Sequence, residues 1–214
     1  MSLTVLAAQT LDDLVEQIGE VGLAIPDRGI RTNQEEEAYL FRRLILGMAA
    51  ENRLRYPISI RQTDAPDFEV EEDGMSWMLE ITQATTKEDQ AALTRFAKSD
   101  MKVALNGHFG GRGSGGYQGD APEFEVIGDI IDAITRKQNK EYAKRSCRLL
   151  IYINSNPGLV VHTGRLFTML GDQLPVHPFD NLYVYSNGTF GDFPNGSKVN
   201  SQRLDWVQFQ DNRS

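Results

Sequence analysis

The chain has 214 residues, 40% of them hydrophobic and 24% charged, with a formal net charge of −8. That length gives one domain with enough core to fold without staples, and that composition is ordinary for a globular protein. The acidic balance argues against broad coating of nucleic acid, which depends on phosphate neutralisation, and the lone Cys147 rules out an internal disulfide.

No apolar run approaches the ~20 residues needed to span a bilayer, so no membrane role is expected. The opening Met1-Ser2-Leu3-Thr4-Val5-Leu6-Ala7-Ala8-Gln9 lacks a basic leader, which argues against a signal peptide. Together with the single thiol, this gives a cytoplasmic expectation. A homo-oligomer is left open.

The first predicted element is a helix from Thr10, its N-cap, to Ile18. Asp12 and Asp13 suit its positive end, and Leu11, Leu14, Val15 and Ile18 make one apolar face. Ile25-Pro26-Asp27-Arg28-Gly29 reads as a turn. A longer helix follows from about Asn33 to Leu54, with Glu35, Glu36 and Glu37 in its first turn and Leu40, Leu44, Ile45 and Met48 as its buried stripe. Acids there favour the macrodipole. Glu37 lies three residues before Leu40 and seven before Leu44, so it continues the inward stripe, whereas Glu36 falls between faces.

After Pro57, Ile58-Ser59-Ile60-Arg61-Gln62 reads as a strand leading into the most informative stretch. Pro66-Asp67-Phe68 is followed, through the acidic Gly-containing turn Glu71-Glu72-Asp73-Gly74, by Trp77-Met78-Leu79-Glu80-Ile81-Thr82. This is strand, turn, strand, and a hairpin brings Asp67 and Glu80 together. Alternation sends Trp77, Leu79 and Ile81 to one face and Met78, Glu80 and Thr82 to the other. Glu69, Glu71, Glu72 and Asp73 read as a solvated hairpin face and turn. Glu80 sits in a run apolar enough for a central strand, where an unpaired carboxylate is costly. Two acids on neighbouring strands at one end of a sheet offer a seat for a hard divalent cation.

A helix is expected from Thr86-Lys87-Glu88-Asp89, a capping-box-like start, to about Leu105. Residues 106 to 121 contain seven glycines and read as a mobile loop; Gly111-Arg112-Gly113-Ser114-Gly115-Gly116 matches G-x-G-x-x-G but follows a helix, so a dinucleotide site is rejected. A third long helix is predicted from Phe124 to about Lys144, with Ile127, Ile130, Ile131 and Ile134 inward. Lys137 extends that face, while Arg136, Lys140, Lys144, Arg145 and Arg148 complete a basic cluster. Such clusters are usually solvated faces, and a phosphate-facing role is the sharper alternative. Arg42, Arg43, Arg53 and Arg55 form a second, looser one.

Cys147 to Asn154 is the strongest predicted strand, apolar enough for a central position covered on both sides. A catalytic role for its thiol is not expected. Thr163 to Leu174 reads as a helix, Asn181 to Ser186 as a strand ending at Asn187-Gly188, and Leu204 to Phe209 as a short terminal strand or docking segment. His162 and His177 have no companion at metal-ligand spacing, and no Ser-His-Asp elbow, P-loop, H-E-x-x-H or paired C-x-x-C appears. The expected architecture is a single α/β domain over residues 1–214, with a sheet of about five or six strands.

The Pro-Asp and Glu-x-Thr pattern resembles the PD-(D/E)XK, or restriction-endonuclease-like, nuclease superfamily over roughly residues 34 to 153. The resemblance implies a central mixed sheet flanked by helices, with Asp67 and Glu80 as the acids that hold Mg2+ or Mn2+. Glu36 or Glu37 matches the glutamate that the preceding helix often adds. Thr82 stands in the lysine position, a departure, because a hydroxyl supplies no positive charge beside a scissile phosphate. Lys137 is the first candidate to replace that charge. The implied function is metal-dependent hydrolysis of phosphodiester bonds in DNA or RNA, with nucleic acid as partner. The alternative is a catalytically inactive nuclease-fold protein serving as a partner-binding or structural subunit.

Overall fold

The computed structural model describes residues 5–21, 33–85, 122–153, 161–195 and 202–204. The helix and glycine-rich loop expected between Thr86 and residue 121 lie outside them. Elements in chain order are β1 (Val5–Ala8), α1 (Leu11–Val21), α2 (Asn33–Ala50), β2 (Ile58–Gln62), β3 (Phe68–Glu72) and β4 (Met75–Ala84). Then come α3 (Pro122–Lys137), a 3-10 turn (Glu141–Lys144), β5 (Cys147–Ile153), α4 (Thr163–Gln173), β6 (Asn181–Ser186), β7 (Thr189–Pro194) and β8 (Gln202–Leu204).

The eight strands form one sheet in sequential order. β4, β5 and β6 run parallel, and every other neighbouring pair is antiparallel, so the sheet is mixed. The α/β class is as expected, but the sheet is wider. β1 escaped the sequence reading because four residues carry too little alternation. β7 escaped it because Thr-Phe-Gly-Asp-Phe-Pro holds a glycine and an aspartate, both poor strand formers.

Each face is sealed by helices. Trp77, Leu79, Ile81, Leu150 and Tyr183 join Leu14, Phe41, Leu44 and Met48 in one core under α1 and α2. Cys147, Leu149, Ile151, Leu182 and Val184 join Ile127, Ile130, Ile134, Leu166 and Phe167 in the other, under α3 and α4. β5 feeds both cores, which is why it reads as nearly continuous apolar sequence. α3 and α4 lie on one face because both precede strands added in the same direction, and right-handed crossovers then fall on one side.

Local chemistry explains the ends. Thr10 Oγ1 accepts the Asp13 N–H at 3.2 Å, capping α1 as predicted. His162 caps α4, its Nδ1 accepting the Arg165 N–H at 3.3 Å. Asn187 and Gly188 both have positive φ, 47° and 83°, in the two-residue turn joining β6 to β7. Gly191 has no room for a side chain, since a Cβ would lie 2.7 Å from the Phe193 ring and 3.1 Å from the Phe167 ring.

Two expectations are corrected. The third long helix does not reach Lys144: it stops at Lys137 and restarts as the 3-10 turn, and Asn139 between them is a residue that favours caps and turns over helix interior. Glu72 is not solvated. It is 5% exposed, accepting the Trp77 indole N–H at 2.9 Å and the Arg55 backbone N–H at 3.0 Å. Both acceptor oxygens are used, which is how a carboxylate tolerates burial.

Candidate active site

The β3–β4 hairpin builds the site. Its pairing starts at Glu72↔Met75 around the Asp73-Gly74 turn and ends at Phe68↔Leu79, so the next opposed pair is Asp67 and Glu80. There the ladder stops. Thr63 and the Pro66 carbonyl close a tight loop through the threonine hydroxyl, and the Thr63 N–H reaches the Asp67 carbonyl at 2.9 Å. Asp67 then turns its carboxylate onto β4, where Oδ2 accepts the Ile81 N–H at 2.6 Å. A charged side chain thus takes the acceptor position that a continuing strand would have filled.

Glu80 is 5% exposed and lies between Leu79 and Ile81, whose side chains enter the opposite core. It therefore points to the α3 side, where Lys137, at the last turn of α3, donates Nζ to its Oε1. The helical spacing that placed Lys137 on the face of Ile130 and Ile134 is what brings it there. Glu80 Oε2 is buried, and the Tyr142 phenol is the hydrogen-bonding neighbour of this carboxylate on the side away from Lys137's contact with Oε1. Thr82 occupies the same strand face two residues on, level with Ile151 of β5, and is half-buried.

Glu37 comes in from α2. Burial, then the charge of Glu80, raises its carboxyl to about 7 against the pull of Lys137, with Glu36 raising it further. Asp67 is likewise raised to about 7 by burial, then by Glu80 and Glu37; the Ile81 N–H and Lys137 only partly offset this. Asp67, Glu80, Glu37 and Lys137 thus feel one another's charges and form one electrostatic cluster. Glu36 does not share that position: it accepts the Tyr152 hydroxyl at 3.3 Å.

Two neighbours carried no signal in the sequence. Tyr142, in the 3-10 turn, has its phenol pushed up by burial, then by its hydrogen bond to Glu80 and by that carboxylate's charge. Cys147 is buried, and burial followed by Glu80 pushes its thiol to about 12, which leaves no thiolate for nucleophilic chemistry. Only the break at Gln138-Asn139, which turns the chain back toward β4, could have pointed to Tyr142.

Among the described residues, no group of three or more His, Cys, Asp or Glu side chains is already set to hold a metal ion. The donor chemistry nevertheless fits a hard divalent cation. The carboxylates of Asp67, Glu80 and Glu37 repel one another, and oxygen donors of this kind suit such an ion. Among the described residues, Lys137 is the cation that meets these acids.

The rest of the basic residues have varied partners. Arg148 stacks 3.9 Å over the Trp77 ring, Arg53 pairs with Asp192 at 2.5 Å, and Arg43 donates to the Tyr39 hydroxyl at 3.0 Å. These are structural contacts inside the fold. Arg136 differs: it is exposed and donates to the Gln83 carbonyl at 3.0 Å, beside the site. Among the described residues, no helix is long and apolar enough to cross a membrane. No protein-family model, curated protein or solved structure matches the chain.

Proposed function

We propose that the protein is a metal-dependent phosphodiesterase of the PD-(D/E)XK, restriction-endonuclease-like type, acting on DNA or RNA. The observation that carries this reading is the Lys137 ammonium on the Glu80 carboxylate, in one cluster with Asp67 and Glu37. The mixed sheet with helices on both faces agrees with that fold.

On this reading Asp67 and Glu80 hold Mg2+ or Mn2+, with Glu37 as the third acid. The cation, when bound, polarises the phosphodiester and favours an attacking hydroxide. Lys137 faces the same carboxylate and supplies the charge that Thr82 lacks, stabilising negative charge as it develops on the phosphoryl oxygens. Asp67 is held in aim by the Ile81 N–H.

The alternative, an inactive nuclease-fold subunit, has one observation in its favour. Lys137 is already seated on Glu80, so the pair also serves as a closed structural contact. One experiment separates the two. Mg2+ or Mn2+ should raise the melting temperature of the wild type and not of Asp67→Ala, because a ligand that binds only the native state stabilises it by mass action. The wild type alone should cleave single- or double-stranded DNA or RNA. Equal metal responses in both proteins, with no cleavage by either, would move the assignment to the inactive subunit.

A further inference from the structure

A strip of exposed cations runs outward from the proposed site. Arg136 is tied to the Gln83 carbonyl near the end of β4, and the chain then passes Lys140, Lys144 and Arg145 before Ser146 accepts the Met78 N–H at 2.9 Å near the start of β4. The strip therefore flanks β4 from Gln83 back to Met78, a length of about 16 Å at ~3.3 Å per residue. All four cations are exposed. Lys140 and Arg145 make no ion pair among the described residues. Among the described residues Lys144 pairs with Glu141 alone, at 2.9 Å, an exposed i,i+3 pair of little strength.

A helix-end explanation covers only part of this. Cations in the last turn of α3 favour its macrodipole, which accounts for Arg136 and Lys137. It does not account for Lys144 and Arg145, which follow the helix by several residues. The protein as a whole carries a net charge of −8, and Asp67, Glu80 and Glu37 present acids at the site itself. A polyanion would be repelled from such a surface unless a local positive track offset the repulsion.

We propose that Arg136, Lys140, Lys144 and Arg145 bind the sugar–phosphate backbone of a nucleic acid strand and lay it beside the Asp67–Glu80–Lys137 cluster. This rests on the phosphodiesterase reading for its choice of partner. A track of this length matches about five successive phosphates along one strand, at the ~3.4 Å axial rise of a duplex. The contacts are to backbone, so they position the strand without reading its sequence.

The test is binding of fluorescently labelled 20-nucleotide DNA and RNA, single-stranded and duplex, followed by anisotropy at several salt concentrations in EDTA. EDTA separates binding from cleavage. In Lys140→Glu/Arg145→Glu the dissociation constant should rise at least tenfold. Two lost phosphate contacts should flatten the slope of log K against log salt by about 1.4 for single strands or about 1.8 for duplex. Lys140→Arg/Arg145→Lys should bind as the wild type, and Asp67→Ala should bind at least as well. Unchanged affinity and slope in the charge-reversed protein overturns the strip, even if the wild type cleaves. Binding lost with the charge reversal, in a protein that cleaves nothing with any metal, keeps the strip and removes the phosphodiesterase. A wild type that binds none of the four probes overturns both.

Discussion

Asp67 should be a residue that the fold tolerates rather than welcomes. Its carboxyl is raised from the ordinary aspartate value to about 7, chiefly by burial and then by the Glu80 and Glu37 charges. Between about pH 4 and 7 the folded protein therefore binds more protons than the unfolded chain, so stability falls as pH rises through that window and levels off above it. A rise of that size corresponds to roughly 4 kcal/mol at full ionisation, and solvent access at this half-buried group brings it nearer to about 2 to 3 kcal/mol. Asp67→Asn keeps an oxygen for the Ile81 N–H, now 2.6 Å from Oδ2, and removes the charge. The neutral hydrogen bond is weaker by about 1 kcal/mol. The net gain at pH 8 should be about 1 to 2 kcal/mol, or about 2–8 °C in melting temperature for a chain of this size. Chemical denaturation from pH 4 to 8 measures it. The variant should show a shallower loss of stability with pH, the remaining slope belonging to Glu37. An Asp67→Asn protein that is no more stable at pH 8, or that keeps the full wild-type slope, would refute the account of repelling carboxylates.

Lys137→Met should destabilise the protein by about 2 kcal/mol, because Glu80 is left buried without its cation; adding Glu80→Gln should recover most of that loss, which a double-mutant cycle reads directly. If the phosphodiesterase reading holds, Lys137→Ala should cost about a hundredfold in cleavage rate, and adding Thr82→Lys should restore part of it from the same strand face; no recovery would show that an ammonium on β4 cannot replace one on α3. Gln17 closes the outer edge of β1, its side-chain oxygen accepting the Ala7 N–H at 3.3 Å and its nitrogen donating to the Ala7 carbonyl at 2.7 Å. Gln17→Ala should therefore speed hydrogen exchange at the Ala7 amide and cost about 1 to 2 kcal/mol, and unchanged exchange would count against that edge contact.

How much of this was legible depends on how local the signal was. The Asp67–Glu80 opposition was readable because Asp-Gly is a two-residue turn: Asp67 lies six residues before Asp73 and Glu80 six after Gly74, and both turn residues have positive φ. Lys137 was readable because a helical period carried it onto the face of Ile130 and Ile134. Glu37 was favoured over Glu36 by the same spacing, and the two do part company, one toward Glu80 and the other to Tyr152. What failed was non-local. The burial of Glu72 depends on Trp77 across the turn and on Arg55 before β2, and no periodicity announces such partners. β7 was reachable only through the Asn187-Gly188 hairpin turn, since its own residues do not favour a strand. Tyr142 reaches Glu80 because α3 stops early, and helix ends are set by weak preferences.

The Thr82 position shows why a chain position is a poor guide to a charge. What a phosphoryl group would meet is a field, and the field depends on where the ammonium lies, not on which element carries it. On β4 a lysine at position 82 would share the Glu80 face, level with Ile151 of β5. At the end of α3, Lys137 keeps its stem along the helix and remains a quarter exposed, so it loses less hydration while still reaching a carboxylate that is 6% exposed. With Asp67, Glu37 and Glu80 ionised and Lys137 protonated, the four groups together still carry two negative charges. One lysine satisfies Glu80 but cannot balance the cluster. A structural ion pair would need no more than Glu80 and Lys137; the two further acids converging on the pair are what favour a site built to receive a cation.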